Sequence, residues 1–178
     1  MAEARKIVFY CSASYEIDQK FNQVAREITR AVCSLGYTVV SGGAVKGTMG
    51  VISDEVVRSG GRHIGVLPRF MAQYRYPGLD ETVWTDTMAE RKEKMREGTC
   101  AAVALPGGIG TLDELIGTLT LSKLGKYPGK VFALNFDGFY EPLKALLDHY
   151  VATGMLDGPS RNLIEFPETV GELVESLK

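Results

Sequence analysis

Short apolar runs with strand character alternate with segments of helical periodicity along this chain of 178 residues, and this alternation restricts the fold most strongly. Residues 7–10 are apolar and predict a buried strand. In residues 21–35 the apolar side chains share one helical stripe, which predicts a helix ending at Gly36. Further strands are predicted at residues 37–40, 63–67, 100–105, 130–134 and 162–164, and further helices at 51–57, 87–98, 140–153, after Thr111 and from about Glu168. The order predicts an α/β fold, a Rossmann-like doubly wound parallel sheet in a single domain over residues 1–178.

Bulk composition narrows the classes of partner and compartment. The net charge of −2 gives no reason to expect binding to nucleic acid or to a membrane. The N-terminal segment is charged and no apolar run is long enough to span a bilayer, so we expect a cytoplasmic protein. Three widely spaced cysteines, Cys11, Cys33 and Cys100, fit free thiols, with Cys11 and Cys100 expected to be buried. Residues 68–80, aromatic and basic, are interpreted as a long loop that forms a lid or a subunit contact.

Two glycine-rich segments follow predicted strands and open predicted helices. They are residues 41–50, S-G-G-A-V-K-G-T-M-G, and residues 106–111, P-G-G-I-G-T. Glycines let the backbone approach an anion, and a helix N-terminus offers free N–H groups to a phosphate. Neither segment has the Walker or the dinucleotide-binding spacing. A single glycine-rich turn can equally be a plain connection between a strand and a helix. Two such turns at the same end of a parallel sheet predict a phosphorylated, nucleotide-like ligand.

Glu114 allows two interpretations from its spacing. Thr111 and Glu114 have the T-x-x-E spacing of a capping box, in which the carboxylate bonds the backbone at the helix start. On a helical wheel Glu114 lies beside Thr111 and Thr118, away from the face of Leu112, Leu115, Ile116 and Leu119. It can therefore point into a ligand cleft, and capping and catalysis remain equally supported.

Arg91 and Lys92 also allow two interpretations. Thr87 and Glu90 form another capping box and begin a helix whose apolar stripe is defined by Met88 and Met95. Both basic residues flank those methionines. Spacing slightly favours side chains that lie along the rim of the core with their charges in water. The alternative is an arginine aimed at a phosphate, since its planar fork matches phosphate oxygens.

The motifs around these residues resemble those of the LOG (Lonely Guy) family of cytokinin-activating phosphoribohydrolases, often mislabelled lysine decarboxylases. Residues 88–92 match M-x-x-R-K and residues 106–114 match P-G-G-x-G-T-x-x-E. The resemblance extends over almost the whole chain, and residues 41–50 stand where the family has Y-G-G-G-x-x-G-L-M-G. Ser41, Ala44 and Thr48 depart from that pattern, as do Leu121 and Lys123 from T-W-A-Q-L-G.

The resemblance implies hydrolysis of the N-glycosidic bond of a purine nucleoside 5′-monophosphate by a homodimer or higher homo-oligomer with its site near the subunit interface. Arg91 and Glu114 take the catalytic positions by motif match. Glu114 would stabilise the cationic ribose or activate water, and Arg91 would act electrostatically. The substrate-binding positions are Gly43, Gly47, Met88, Lys92, Pro106, Gly107, Gly108, Gly110 and Thr111.

No cofactor or metal is expected, because His63 and His149 have no ligand spacing and each is interpreted as structural. The rival function is a non-catalytic protein that binds or carries a nucleotide or the molybdenum cofactor. A pure carrier has less reason to keep the pair of Arg91 and Glu114. An ordinary purine nucleotide such as AMP and a cytokinin precursor both remain open as substrates.

Overall fold

The computed structural model describes residues 5–178; residues 1–4, the start of the charged N-terminal segment, lie outside it. One sheet of seven parallel strands has the order β4-β3-β2-β1-β5-β6-β7. The strands are β1 Lys6–Tyr10, β2 Thr38–Ser41, β3 Arg62–Pro68, β4 Glu81–Thr85, β5 Thr99–Ala104, β6 Lys130–Ala133 and β7 Ile164–Glu165. The helices are α1 Gln19–Ser34, α2 Gly47–Arg58, α3 Met88–Arg96, α4 Ile109–Lys123, α5 Glu141–Ala152, α6 Gly158–Arg161 and α7 Val170–Leu177. The predicted doubly wound parallel sheet is confirmed.

Helices cover both faces of the sheet because side chains alternate along each strand. On one face Ile7 and Phe9 of β1 belong to a core shared with α1, α2 and α7. On the other face Val8 and Tyr10 pack into a core with α3, α4 and α5. The central strand is therefore buried on both sides, as its uninterrupted apolar run predicts.

The strand order reverses direction at β1, which pairs with β2 on one side and with β5 on the other. In an open parallel sheet the loops on the two sides of such a point diverge and leave a crevice beyond the carboxyl ends of the strands. The loops that follow β1, β2 and β5 meet there. The fold thus fixes where a ligand site is expected before any side chain is considered.

The structure differs from the prediction in several local details. The segment after β3 is a 3-10 helix, Arg69–Tyr74, followed by β4, a strand that the sequence did not reveal. Within residues 5–178 this edge strand pairs only with β3, and three of its five residues are half-buried, so it mixes polar and apolar side chains rather than forming an apolar run. Cys100 is exposed at the start of β5, and Cys11 is only partly buried. The short helix α6 was also missed.

Within residues 5–178, no helix combines the length and the apolar character needed to cross a membrane. The same part of the chain contains no cluster of three or more histidine, cysteine, aspartate or glutamate side chains suited to a metal ion. His63 lies fully buried in β3, whereas His149 is exposed on α5.

Candidate active site

A cavity of about 350 Å3 lies at the crevice where the strand order reverses. The loops after β1 and β2, one side of α3 and the first turns of α4 form its walls. It therefore brings together the second glycine loop and both residues of the predicted catalytic pair. The predicted site residues that line it are Met88, Arg91, Lys92, Gly108, Gly110, Thr111 and Glu114.

The N-terminus of α4 opens directly into the cavity. Gly108 is the N-cap residue and no side chain caps the helix, so the first-turn N–H groups have no partner from a capping side chain. A Cβ at Gly108 or at Gly110 would meet no other atom within 4 Å. This helix end has the space and the free donors that an anion requires.

The predicted capping box at Thr111 is wrong. Because α4 begins at Ile109, Thr111 lies inside the helix and not at its N-cap. Thr111 lines the cavity, and its hydroxyl is buried beside Gly107 without a hydrogen-bond partner within residues 5–178. A buried hydroxyl without a partner is costly, so its position favours a ligand oxygen nearby.

Pro106 and Gly107 lie behind the cavity and not on its wall. A Cβ at Gly107 would overlap the Thr111 side chain and approach the Ser12 nitrogen at 3.1 Å. Both residues line a separate apolar cavity of about 210 Å3 beside Phe21 and Phe139. Their surroundings indicate that they shape the loop, while Gly108 and Gly110 face the open space.

Arg91 is buried, with 7% of its surface exposed, and the predicted position along the rim in water is wrong. Its Nε donates to the Val66 carbonyl at 2.9 Å and its Nη2 to the Gly42 carbonyl at 3.0 Å. Arg91 lies one helical turn before Met95, which is buried, so both point towards the sheet. Met88, assigned to the same apolar stripe, is instead 44% exposed.

The start of α3 fixes this orientation. The Thr87 hydroxyl accepts from the Glu90 N–H at 3.1 Å, which confirms the predicted helix start. The Glu90 carboxylate accepts from the Asp86 N–H rather than from the N-cap N–H that a capping box would use.

The Arg91 guanidinium carries a charge that the protein satisfies only in part. Burial lowers its pKa, and the nearby Glu114 carboxylate opposes that shift. Its two hydrogen-bond partners are neutral carbonyls, and Nη1 donates to no group in the described part of the chain. A buried cation without a directly bonded carboxylate stabilises an anionic ligand or a developing negative charge.

Glu114 lies in the same cavity with its carboxylate withdrawn from water. Burial raises its pKa to about 7, against the opposing effect of Arg91. The buried face of α4 carries Thr111, Leu115 and Thr118, so Glu114 lies beside this face, while Leu112 of the predicted apolar face is exposed. At neutral pH both the protonated and the ionised form of Glu114 are populated, as general acid–base chemistry requires.

Lys92 lies at the rim of the cavity, and the glycines predicted to bind substrate in the first glycine loop lie outside it. Lys92 Nζ pairs with the Asp113 carboxylate at 2.9 Å and joins α3 to α4 at the rim of the cavity. Gly43 and Gly47 do not line the cavity, although both were predicted to bind substrate. Gly43 packs against Gly65 of β3, and Gly47 packs against the backbone after β1.

Sequence reasoning missed the wall that follows β1. Ser12 and Ser14 line the cavity, together with Gly42 and Met49 from the other side. The Ser12 carbonyl accepts from the Thr48 N–H at 3.0 Å, which ties this loop to the start of α2. Small polar residues directly after the central strand were the available signal.

Comparison with known proteins identifies the family. The family model described as "Possible lysine decarboxylase" matches residues 49–177. The cytokinin riboside 5′-monophosphate phosphoribohydrolase LOG of Oryza sativa subsp. japonica is 35% identical and is aligned over 98% of this chain and 73% of its own length.

Solved structures share the fold. An X-ray structure of the structural-genomics target TM1055 superposes with a TM-score of 0.76 at 25% identity, over 97% of this chain and 98% of the other. A molybdenum cofactor binding protein from Rippkaea orientalis also reaches 0.76, at 19% identity over 99% and 97% of the two chains. The match of the family model to residues 49–177 and the alignment of the rice relative to nearly the whole chain show that this protein belongs to the LOG family.

Proposed function

We propose that this protein hydrolyses the N-glycosidic bond of a purine nucleoside 5′-monophosphate and releases the free base and ribose 5-phosphate. The observation that carries the proposal is a single cavity that combines the open N-terminus of α4 with buried Arg91 and half-buried Glu114. An anion site alone would support binding. A carboxyl group with a pKa near neutrality beside an incompletely neutralised arginine supports catalysis as well.

The phosphate is assigned to the first turn of α4. The backbone around Gly108 and Gly110 is open, and the Thr111 hydroxyl lacks a protein partner. The positive end of the helix dipole adds to these donors. A 5′-phosphate held there places the ribose towards Glu114, which lies one turn further along the same helix.

The chemistry follows from the charges that develop. Cleavage of the bond between C1′ and the base nitrogen leaves positive charge on the ribose ring and negative charge on the base. Ionised Glu114 stabilises the ring and takes a proton from the water whose oxygen attacks C1′. Arg91 stabilises the electron pair that departs with the base. The base takes up the proton that Glu114 removed from the water, so the hydroxyl group of the water goes to C1′, its proton goes to the base, and Glu114 is ionised again.

The rival function is a carrier of a nucleotide or of the molybdenum cofactor, and the molybdenum cofactor binding protein from Rippkaea orientalis has the same fold. A carrier needs the anion site but not a titrating carboxyl group within it. Glu114 therefore favours hydrolysis. AMP and a prenylated AMP are both within the proposed substrate class.

We also propose a homodimer or higher homo-oligomer whose interface lies beside the cavity. Ile109 is 87% exposed at the cavity wall, and Met88 and Leu112 are exposed nearby. Such apolar side chains around a site are typical of a surface covered by a second copy. Sedimentation velocity measures this directly, and a strictly monomeric protein would contradict it. The free thiols fit the cytoplasm, where we place the reaction.

The decisive experiment is incubation of the protein with AMP and with isopentenyl-AMP, followed by chromatography of the base and the sugar phosphate. The wild type should release both products in equal amounts. Glu114→Gln should lower turnover by about 100-fold or more, while calorimetry still detects binding of ribose 5-phosphate.

The matched control is Glu81→Gln, which neutralises an exposed carboxylate that pairs with Arg62 outside the cavity. It should keep turnover within about threefold, because an exposed ion pair contributes little. Nucleotide binding without product release by the wild type would favour the carrier function. Wild-type turnover by Glu114→Gln would remove Glu114 from the mechanism.

A further inference from the structure

A buried pair of side chains lies beneath the first glycine loop and outside the cavity. Ser41, at the end of β2, and His63, in β3, are both fully buried. Ser41 Oγ lies 2.8 Å from His63 Nε2. The proposed mechanism uses neither residue, and Ser41 stands where the family pattern has a tyrosine.

Ser41 also holds one particular peptide unit. Its Oγ accepts a hydrogen bond from the Gly43 N–H at 3.1 Å. That N–H belongs to the same planar peptide group as the Gly42 carbonyl, which points the opposite way because the peptide is trans. The Gly42 carbonyl is the acceptor for Arg91 Nη2 at 3.0 Å. Ser41 and Arg91 therefore bind opposite ends of a single peptide group.

A glycine pair would otherwise allow this peptide group to rotate. Gly43 has a φ of +65°, in the left-handed region that glycine enters without cost. Rotation of the peptide would turn the Gly42 carbonyl away from Arg91 and leave the guanidinium with Val66 as its one remaining hydrogen-bond partner within residues 5–178. The hydrogen bond from Gly43 to Ser41 opposes that rotation.

His63 in turn fixes Ser41. The hydroxyl rotor of a serine is free unless a second partner holds it. His63 is held at its own backbone, where its N–H donates to Asp80 Oδ2 at 2.7 Å and its carbonyl accepts from the Asp80 N–H at 3.0 Å. Burial lowers the pKa of His63 to about 4, so the ring is neutral at physiological pH and introduces no competing charge beneath the arginine.

We infer that Ser41 and His63 are positioning residues that orient the Gly42 carbonyl and, through it, hold Arg91 on the cavity. The inference rests on the proposed hydrolysis for its kinetic test. It assigns to this chain a support for the arginine that a tyrosine at position 41 could not provide in the same way, since a tyrosine hydroxyl lies too far from the backbone for this local hydrogen bond.

The kinetic test is a double-mutant cycle on AMP hydrolysis. Ser41→Ala should lower kcat about tenfold and change KM less than twofold, because the arginine is displaced while the phosphate site remains intact. Ser41→Thr, which keeps the hydroxyl, should restore most of the loss. In an Arg91→Ala background the Ser41→Ala change should cause no further loss. An equal loss in both backgrounds would overturn the inference.

The matched control is Thr48→Val in the same loop. Its buried hydroxyl donates to Asn22 on α1 and not towards Arg91. This variant should keep kcat within twofold, and a tenfold loss would show that any weakened loop has the same effect. If Ser41→Ala does not fold, Ser41→Cys provides a weaker hydrogen-bonding group of similar size and should give an intermediate kcat.

A structural readout separates this inference from the proposed function. Crystal structures of the wild type and Ser41→Ala should differ in the distance between Arg91 Nη2 and the Gly42 oxygen. A displaced guanidinium supports the positioning role even if the wild type releases no base, an outcome that would contradict only the hydrolysis. An unmoved guanidinium overturns the positioning role even if hydrolysis is established.

Discussion

The loop at residues 41–50 and the loop at residues 106–111 both follow a strand and lead into a helix, yet Gly43 and Gly47 of the first have surroundings opposite to those of Gly108 and Gly110 of the second. A Cβ at Gly43 would lie 2.7 Å from the Gly65 Cα, and one at Gly47 would lie 2.6 Å from the Ala13 carbonyl carbon. Gly108 and Gly110 have no atom within 4 Å of that position. The first loop is closed by packing, and the second is open.

This difference shows that glycine is required in the two loops for two different reasons. In the closed loop the glycines permit positive φ angles and close contact between backbone segments, and the product is a fixed acceptor for Arg91. At Gly108 and Gly110 of the open loop no group within residues 5–178 uses the space, so the absent side chains leave room for a ligand. The four predictions below test this distinction from the largest expected effect to the smallest.

Gly47→Ala should lower the free energy of unfolding by about 3 kcal/mol or more, the sum of a strained left-handed residue and backbone overlap. Gly47 has a φ of +54°, and its three nearest neighbours are backbone atoms of Ala13 and Ser14, which cannot turn aside as a side chain would. Urea denaturation measures the loss. Gly117→Ala, in an open position of α4, is the control and should not destabilise the protein. Equal stability of the two variants would contradict the closed packing of the first loop.

Gly42→Ala should reduce kcat for AMP hydrolysis about 100-fold, because a misplaced catalytic group costs that order of rate. A Cβ at Gly42 would overlap Arg91 Nη2, the end of a flexible side chain that can move aside. Stability should therefore change less than activity. Steady-state kinetics and urea denaturation of the same preparation separate the two effects, and unchanged kcat would show that Arg91 need not lie where the structure places it.

The main strands and helices could be predicted because their patterns are local. The apolar run of β1 and the helical stripe of α1 carry their own signals. The edge strand β4 does not, because with one partner strand and half-buried faces it need not be apolar. The 3-10 helix before it was hidden for a similar reason, since its described side chains include none that is buried.

The sequence predicted which residues form the site more fully than it predicted how they are arranged. The motif around Arg91 identified the residue, but its acceptors, Gly42 and Val66, come from distant segments, so burial could not be deduced from α3 alone. For Glu114, a helix start at Ile109 rather than after Thr111 changed the capping interpretation. A shift of three residues lies within the usual uncertainty of helix ends predicted from sequence.

Glu114→Gln should raise the free energy of unfolding by about 3 kcal/mol at pH 8, and the gain should disappear near pH 4.5. The folded-state pKa of Glu114, about 7, exceeds its usual value of 4.5, so the folded protein binds this proton more tightly than the unfolded chain. Ionisation as the pH rises through this window therefore costs stability, and the neutral amide avoids the cost.

Thermal or urea denaturation from pH 4.5 to 8 measures this difference, with Glu81→Gln as the exposed control. His63, beneath the closed loop, responds in the opposite direction. Its pKa falls from 6.5 to about 4, so stability is lost as the pH drops through that range. A Glu114→Gln variant less stable than the wild type at pH 8 would contradict the desolvation of this carboxyl group.

Gly110→Ala tests the open loop with the smallest change. Gly110 lies in the first turn of α4 without a positive φ, and no atom lies within 4 Å of the added methyl group. The helix should therefore gain about 0.5–1 kcal/mol from the better helix former.

The methyl group would project where the phosphate is proposed to bind, so affinity for ribose 5-phosphate should fall about tenfold, or about 1.4 kcal/mol. A variant that is more stable but binds ribose 5-phosphate less tightly would show that Gly110 leaves space for the ligand and is not required by the fold. Calorimetry and denaturation measure the two quantities, and undiminished affinity would move the phosphate away from this turn.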